Sequence, residues 1–175
     1  MLAVVDGAQV TENLWGERWS KLCANSMGNP VQAMSGLGSL DIASSEVGRA
    51  ITIHLAGESA RVGLAQGYTI PKFNGEADER WADSTRRETW QALDAMLTPK
   101  AAGGRNWKAS MAQDVHKGRP TEIDYMNGHV VAKGKETGVP TPISAATVSV
   151  VREIDGGTRK QAPENIAEVL RRAGV

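Results

Sequence analysis

Three polar side chains at four-residue intervals are the first candidates for chemistry in this sequence. Lys21, Asn25 and Asn29 lie in the stretch KLCANSMGNP. On an α-helix they drift by only about 40° per step and form one polar stripe. Asparagine is a poor helix former because its amide competes for main-chain hydrogen bonds, so the stripe requires a reason. It either lines a cleft for a polar ligand or is a solvated face that ends at Asn29-Pro30, and the spacing alone favours the solvated face.

A second polar set lies further along the chain. Ser110 and Asp114 are four residues apart, and Glu122 follows a Gly-Arg-Pro turn. Thr121 and Asp124 have the Thr-x-x-acid spacing of a helix start, where the helix dipole stabilises a carboxylate. Glu122 therefore either satisfies that dipole or points into a cleft. The pattern alone favours the first interpretation.

The elements that would position these side chains are helical. Apolar residues recur at helical spacing, and Asn, Pro and Gly stand at the expected starts and ends. Helices are predicted over residues 14–29, 44–66, 75–97, 107–117, 121–137, 142–155 and 163–173. The third divides in two if Thr85 and Glu88 form a capping box. No convincing strand is found, the nearest candidates being 2–5 and 147–151, so the sequence predicts an all-α fold of about seven helices.

Length and composition predict one domain, residues 1–175, in the cytoplasm. Twenty basic and twenty acidic residues cancel, so no net charge recruits nucleic acid or an anionic membrane. No segment reads as a signal peptide or as a membrane span. Cys23 is the single cysteine, which excludes an internal disulfide and agrees with a reducing compartment. The three histidines show no paired spacing with carboxylates or thiols, so no metal site is expected.

Two longer motifs, taken together, resemble a known family. W-x-K-L-x-x-N-x-x-x-N-P spans residues 19–30, and S-M-x-x-D-x-x-x-G-R-x-T-E-I-D-x-x-N-G spans residues 110–128. Their order and separation are similar to those in the C-terminal domain of ketopantoate reductases (2-dehydropantoate 2-reductases). The later G-V-P-T-P, residues 138–142, fits as well. The resemblance covers nearly the whole chain.

That family joins an N-terminal Rossmann domain, which binds NADPH, to an all-α domain like the C-terminal domain of 6-phosphogluconate dehydrogenase. The resemblance implies an oxidoreductase of pantothenate biosynthesis that reduces ketopantoate to pantoate in a cleft between the two domains. Ketone reduction builds negative charge on oxygen, so a cationic acid beside it lowers the barrier. The resemblance therefore favours the cleft-lining interpretation of both polar sets.

Roles for five residues follow from the resemblance. It implies that Lys21 is the catalytic general acid and that Glu122 is a second catalytic residue, holding either the reacting hydroxyl or the lysine. It implies that Asn25 and Asn29 line the substrate and nicotinamide pocket. Ser110 would bind the carboxylate end of the substrate.

Two features depart from the family pattern. Gly38-Ser39-Leu40 stands where the family usually has an Asn-Gly pair, so Ser39 either replaces that amide or lies in a rebuilt loop. No strand followed by Gly-x-Gly-x-x-Gly precedes Met1, and Gly36-Leu37-Gly38 follows a helix, so no cofactor-binding residue is assigned in this chain. NADPH is expected to bind mainly to an N-terminal domain that is absent, and the isolated chain is expected to be inactive.

The expected partners are a small 2-oxo acid and that N-terminal dinucleotide-binding domain, and a homodimer is compatible with the sequence. Two other functions stay open. The first is reduction of a different 2-oxo or 3-hydroxy acid. The second is a stand-alone, non-catalytic helical module that serves association. The combination of Lys21, Asn25, Ser110 and Glu122 favours the enzyme, because an associating module would not need it.

Overall fold

The computed structural model describes residues 10–99 and 105–175, and within these ranges it contains nine α-helices and no strand beyond one isolated bridge. The all-α prediction is confirmed. Two additions raise the number above seven: a short helix follows the first one, and the predicted third helix is two pieces. The helices are α1 Leu14–Ser35, α2 Ser39–Ser44, α3 Glu46–Ala65, α4 Asp78–Ala82, α5 Arg87–Leu97, α6 Ser110–His116, α7 Asn127–Thr137, α8 Pro142–Asp155 and α9 Asn165–Ala173.

Helix α3 is the centre of the fold. It contacts α1, α2, α4, α5, α7, α8 and α9, and Ile51, Ile53, Leu55 and Val62 are fully buried around it. Most of α3 between Ile51 and Gly63 is buried, because other helices cover each of its faces. Helix α1 packs along α3 and contributes Met27, Val31 and Met34 to the same core.

Helix α1 is longer than predicted. The expected end at residue 29 is wrong, because the helix continues through Pro30 to Ser35 and ends at Gly36, whose φ of 74° is left-handed. Proline normally interrupts a helix since it lacks the N–H that would bond the carbonyl four residues earlier. Here that carbonyl, of Ser26, accepts a hydrogen bond from the Asn127 side chain instead. A residue distant in sequence thus keeps the helix intact.

The predicted helix start at Thr121 is also wrong, because α7 begins at Asn127. The Thr121 hydroxyl donates a hydrogen bond of 2.7 Å to Asp155, at the end of α8, rather than capping its own segment. Asp124 accepts one of 2.8 Å from Arg152 rather than completing a capping box. Residues 122–126 form turns.

Other boundaries agree with the sequence more closely. Ser45 caps α3, and Gly67 follows that helix with a φ of 80°. Helix α8 begins at Pro142, as predicted, and its first amides donate to the buried carboxylate of Glu58 on α3. The Thr85–Glu88 capping box does not form, because α5 starts after Arg86 and has no side-chain cap. The candidate strand at 147–151 lies within α8, and the one at 2–5 lies outside the described residues.

Candidate functional site

Two residues of the α1 polar stripe line a cavity of about 370 Å³, called here the Asn25 cavity. Its walls come from α1, α2 and the first half of α3, closed by the end of α5 and by a segment before α6. The lining residues are Ala24, Asn25, Met27, Gly28, Asn29, Gln32, Ser39, Ile42, Ala43, Arg49, Thr52, Asn74, Leu97 and Trp107. This volume suits a small organic ligand.

Ser110 and Asn29 are brought together although they are far apart in sequence. The Ser110 hydroxyl donates a hydrogen bond of 3.3 Å to Asn29 Oδ1, and Asn29 Nδ2 donates one of 3.3 Å to the main-chain oxygen of Asn25. The Asn29 amide is thereby fixed in orientation. The Asn25 side chain has no hydrogen-bond partner within the described part of the chain, so its amide is available to a ligand.

Lys21 lies one helical turn before Asn25, about 6 Å along the axis of α1. It is exposed and does not line the cavity. It forms no ion pair with any residue of 10–99 or 105–175. Its ammonium group is therefore free to turn towards a ligand bound beside Asn25.

Glu122 is exposed on the turn that precedes α7. Its side chain makes no hydrogen bond to the described residues, so the contact with Lys21 that the resemblance allows is not formed in this structure. The hydrogen bond of 3.1 Å from Asn127 to Ser26 fixes the start of α7 against the middle of α1. This anchor joins the Glu122 segment to the helix that carries Lys21.

Ser39 lies in the wall of the cavity, at a junction between two segments, called here the Ser39–Trp107 junction (residues 38–41 with 105–107). The Ser39 amide donates to the Trp107 carbonyl over 3.0 Å, and the Ser39 hydroxyl accepts from the Trp107 amide over 3.2 Å. Asn106 donates to Asp41 over 2.8 Å. This bond, together with the one from the Gly38 amide, lowers the pKa of the Asp41 carboxyl. The start of α2 at Ser39 is thus bonded to the segment that precedes α6.

Sequence reasoning missed the contribution of the 105–107 segment to this site. The available signal was Gly38: a Cβ there would lie 2.0 Å from Asn106 Oδ1, so the glycine leaves room for the Asn106 side chain to bond Leu40 and Asp41. Nothing local in the sequence identifies the second segment.

Arg49 brings a positive charge to the cavity wall, but its guanidinium is already paired with the Asp94 carboxylate. Its Nε lies 2.6 Å from Asp94 Oδ1, and Nη1 donates to the Ala43 carbonyl over 3.0 Å. A guanidinium held in this way is a structural tie between α3 and α5 rather than an open anion site.

A larger and more open groove of about 790 Å³ runs between α7 and α8. It contains none of the five residues that the resemblance singles out. We therefore place the candidate site at the Asn25 cavity, where Asn25 and Asn29 lie in the wall and Ser110 is bonded to Asn29.

The described residues contain no group of three or more His, Cys, Asp or Glu that could hold a metal ion, and no helix among them has the length and apolarity to cross a bilayer. Cys23 is fully buried in α1, and burial raises the pKa of its thiol.

Comparison with known proteins identifies the family of the chain. Residues 13–155 match the family described as ketopantoate reductase PanE/ApbA C terminal. A 2-dehydropantoate 2-reductase of Pyrobaculum aerophilum is 28% identical over 144 residues, which cover 82% of this chain and 45% of the relative. The chain thus spans less than half the length of that relative.

Two solved structures share the fold. A PanE/ApbA family ketopantoate reductase from Ralstonia eutropha JMP134 aligns with a TM-score of 0.64 at 24% identity, over 86% of this chain and 44% of that one. A D-mandelate dehydrogenase in complex with NADH aligns with a TM-score of 0.64 at 21% identity, over 87% and 46%. The family match covers most of the described helices and includes both motifs around the site. The chain belongs to the family of ketopantoate reductase C-terminal domains.

Proposed function

We propose that this chain is the substrate-binding and proton-donating domain of a nicotinamide-dependent reductase of 2-oxo acids, with ketopantoate as the substrate that the family suggests. One observation carries the proposal. The Asn25 amide, which has no partner in the described chain, and the Asn29–Ser110 pair lie together at a cavity. Lys21, which forms no ion pair with the described residues, lies one helical turn away. Amide and hydroxyl donors suit a carboxylate and a carbonyl, and the ammonium suits the charge that develops on reduction.

The reaction converts a ketone to a secondary alcohol. A reduced nicotinamide, when bound, supplies the hydride to the carbonyl carbon. Lys21 Nζ gives a proton to the carbonyl oxygen as negative charge builds there, and the neutral amine regains a proton from water. Asn25 orients the carbonyl by donating a hydrogen bond. When the ligand binds, the Ser110 hydroxyl turns its one proton from Asn29 Oδ1 to the substrate carboxylate, and Glu122 attracts the ammonium of Lys21 as the ligand closes the site.

We further propose that a separate N-terminal Rossmann domain binds the cofactor, NADPH, and completes the cleft. The length of the Pyrobaculum relative, more than half of which lies outside the match, is consistent with such a domain. The D-mandelate dehydrogenase that shares this fold is described with NADH, which supports a nicotinamide cofactor. On this proposal the whole chain acts as one domain in the cytoplasm and is inactive alone.

Replacement of Lys21 tests the proposal in a chain that carries the dinucleotide-binding domain. Lys21→Ala is expected to lower kcat/KM for ketopantoate by roughly 10²- to 10⁴-fold, because general acid catalysis contributes that much. Lys21→Arg keeps the charge but cannot release a proton near neutral pH, so it is expected to be almost as impaired. Nicotinamide oxidation, followed by absorbance, measures both.

Lys160→Ala is the matched control, since Lys160 is also exposed and does not line the cavity. Lys21 is on the surface, so both alanine variants should unfold at the same urea concentration as the parent. A Lys21→Ala enzyme with the rate of the Lys160→Ala enzyme would remove Lys21 from the mechanism.

A further inference from the structure

Gln32 is a buried polar side chain in the wall of the Asn25 cavity, and half of its amide is unused. The residue is only 2% exposed. Its Oε1 accepts a hydrogen bond of 2.8 Å from the Ala109 amide, which fixes the orientation of the side chain. Its Nε2 has no partner in the described part of the chain. Because buried polar groups normally have partners, this donor is left for a ligand.

Thr52, on helix α3, offers the complementary group in the same wall. Its hydroxyl gives its one proton to the Gly48 carbonyl over 2.8 Å, so the Thr52 oxygen can only accept from a ligand. A neutral donor and a neutral acceptor together suit a hydroxyl group, which accepts one hydrogen bond and donates another.

A carboxylate fits this part of the cavity less well than a hydroxyl does. Arg49 is the cation in the wall, and its guanidinium is already paired with Asp94. A carboxylate would therefore lose its water without gaining an opposite charge, which costs binding. The exposed Ser110 end suits the carboxylate better, because the charge stays in contact with water there.

The space between the reacting end and Gln32 is open. Asn25, Gly28 and Gln32 follow one another on one face of α1, since steps of three and four residues stay on one side of a helix. Nothing lies within 4 Å of a Cβ at Gly28. The apolar wall of the cavity is formed by Met27, Ile42, Ala43, Leu97 and Trp107. A substituent that passes over Gly28 thus meets an apolar surface for its carbon atoms and two polar groups for one oxygen.

We propose that Gln32 and Thr52 bind a hydroxyl on the substituent of the 2-oxo acid and select a hydroxylated acid over its alkyl analogue. Gln32 Nε2 donates to the hydroxyl oxygen, and Thr52 Oγ1 accepts from the hydroxyl. This inference rests on the proposed function and names two specificity-determining residues for it. An alkyl acid removes water from both groups without replacing their hydrogen bonds, so it binds more weakly.

Two acids that differ in one hydroxyl test this in the enzyme that carries its dinucleotide-binding domain. They are ketopantoate and 3,3-dimethyl-2-oxobutanoate, which lacks the 4-hydroxyl. The ratio of their kcat/KM values is expected to favour ketopantoate by roughly 10- to 100-fold, as for the loss of two hydrogen bonds. A ratio near unity, or a preference for the alkyl acid, would overturn this inference and leave the proposed function standing. Reduction of neither acid would overturn the proposed function, and this inference with it.

Thr52→Val removes the acceptor with little change in shape. It is expected to lower the ratio roughly three- to tenfold, because kcat/KM falls for ketopantoate and not for the alkyl acid. Thr137→Val is the matched control. Thr137 donates a similar bond of 2.8 Å to the carbonyl four residues earlier, is also partly buried, and does not line the cavity. A Thr52→Val ratio equal to that of Thr137→Val would overturn the assignment of Thr52.

Gln32→Met keeps the length of the side chain and removes the donor. It also removes the acceptor for the Ala109 amide, but that loss is the same with either acid, so the ratio isolates the contact with the hydroxyl. We expect the ratio to fall about tenfold. Equal slowing of both acids would overturn the assignment of Gln32, since its amide would then serve only the Ala109 segment or the carboxylate. Circular dichroism checks that each variant is folded.

Discussion

The side-chain amide of Asn127 donates a hydrogen bond of 3.1 Å to the main-chain carbonyl of Ser26, and both residues are fully buried. In an uninterrupted helix that carbonyl would accept from the amide of residue 30, but residue 30 is proline and has no N–H. Asn127 therefore replaces the missing helical bond. Helix α1 continues to Ser35 and keeps Asn29 at the cavity, while the start of α7 is fixed to the same helix.

Loss of the Asn127 amide should destabilise the protein. Asn127→Ala leaves the buried Ser26 carbonyl without a partner, and we expect the free energy of unfolding to fall by about 1–2 kcal/mol. The lower end of the usual range applies because Asn127 Oδ1 has no partner of its own in the described chain, so its removal costs nothing. Urea denaturation followed by circular dichroism measures the change.

Pro30→Ala supplies the control, because alanine restores the N–H that Ser26 needs. In that background Asn127→Ala should cost less, and the two substitutions should be non-additive by about 1 kcal/mol. Equal costs in both backgrounds would show that Asn127 does not act through the Ser26 carbonyl.

Two glycines in helices should respond in opposite ways to alanine. At Gly63, on α3, a Cβ would lie 2.2 Å from Trp19 Nε1, a group that donates a buried hydrogen bond to the Ser59 carbonyl. At Gly28, on α1, nothing lies within 4 Å of a Cβ. Gly63→Ala is expected to lose about 1–3 kcal/mol by overpacking, whereas Gly28→Ala is expected to gain up to about 1 kcal/mol from helix propensity.

Thermal or urea unfolding of both variants checks this prediction. Each substitution adds the same methyl group to a helix, so a difference in sign isolates the packing at Gly63. Similar stabilisation by both would mean that Trp19 moves aside without cost.

Stability should depend on pH through Glu153. Hydrogen bonds from Arg172 and Arg159 lower the pKa of Glu153 to about 2, against about 4.3 for an unfolded glutamate. The folded state binds this proton more weakly, so the contribution is complete above the unfolded pKa and is lost as the pH falls from about 4 to 2. Glu153→Gln should lower stability at pH 7 by on the order of 1 kcal/mol, because the carboxylate is only partly buried.

The difference between Glu153→Gln and the parent should shrink steadily below pH 4, as followed by urea unfolding at each pH. Glu12→Gln is the control, since Glu12 is exposed and has no ion pair in the described chain. A pH-independent difference would assign the effect of Glu153 to packing rather than to its charge.

Ser110 and Asn29 should act as a unit in substrate binding. Ser110→Ala in the enzyme with its dinucleotide-binding domain is expected to raise KM for the 2-oxo acid about tenfold, as expected for loss of a hydrogen bond to a carboxylate. Its stability should not change, because Ser110 is exposed. Since the Ser110 hydroxyl is bonded to Asn29 Oδ1, adding Asn29→Ala should cost much less than it does alone. Full additivity in the double variant would separate the two residues.

Local sequence by itself determined most of the helices and, with the family resemblance, the candidate residues. Helix α3 was predicted to within about two residues, and Pro142, Gly138 and Gly174 marked boundaries that the structure confirms. These features follow from contacts within one turn of the chain, where propensity and capping act. The Lys21, Asn25 and Asn29 stripe is of the same kind, since only helical spacing is needed to align it.

Tertiary structure alone decided where α1 ends, where α7 begins and what surrounds the site. Pro30 predicted a break that Asn127 prevents, and Thr121 predicted a cap but bonds Asp155 instead. The apolar wall of the cavity depends on Trp107 meeting Ser39. In each case the deciding partner is remote in sequence, and a buried polar group takes whichever partner the packed chain brings within hydrogen-bond distance. The local sequence pattern does not identify that partner.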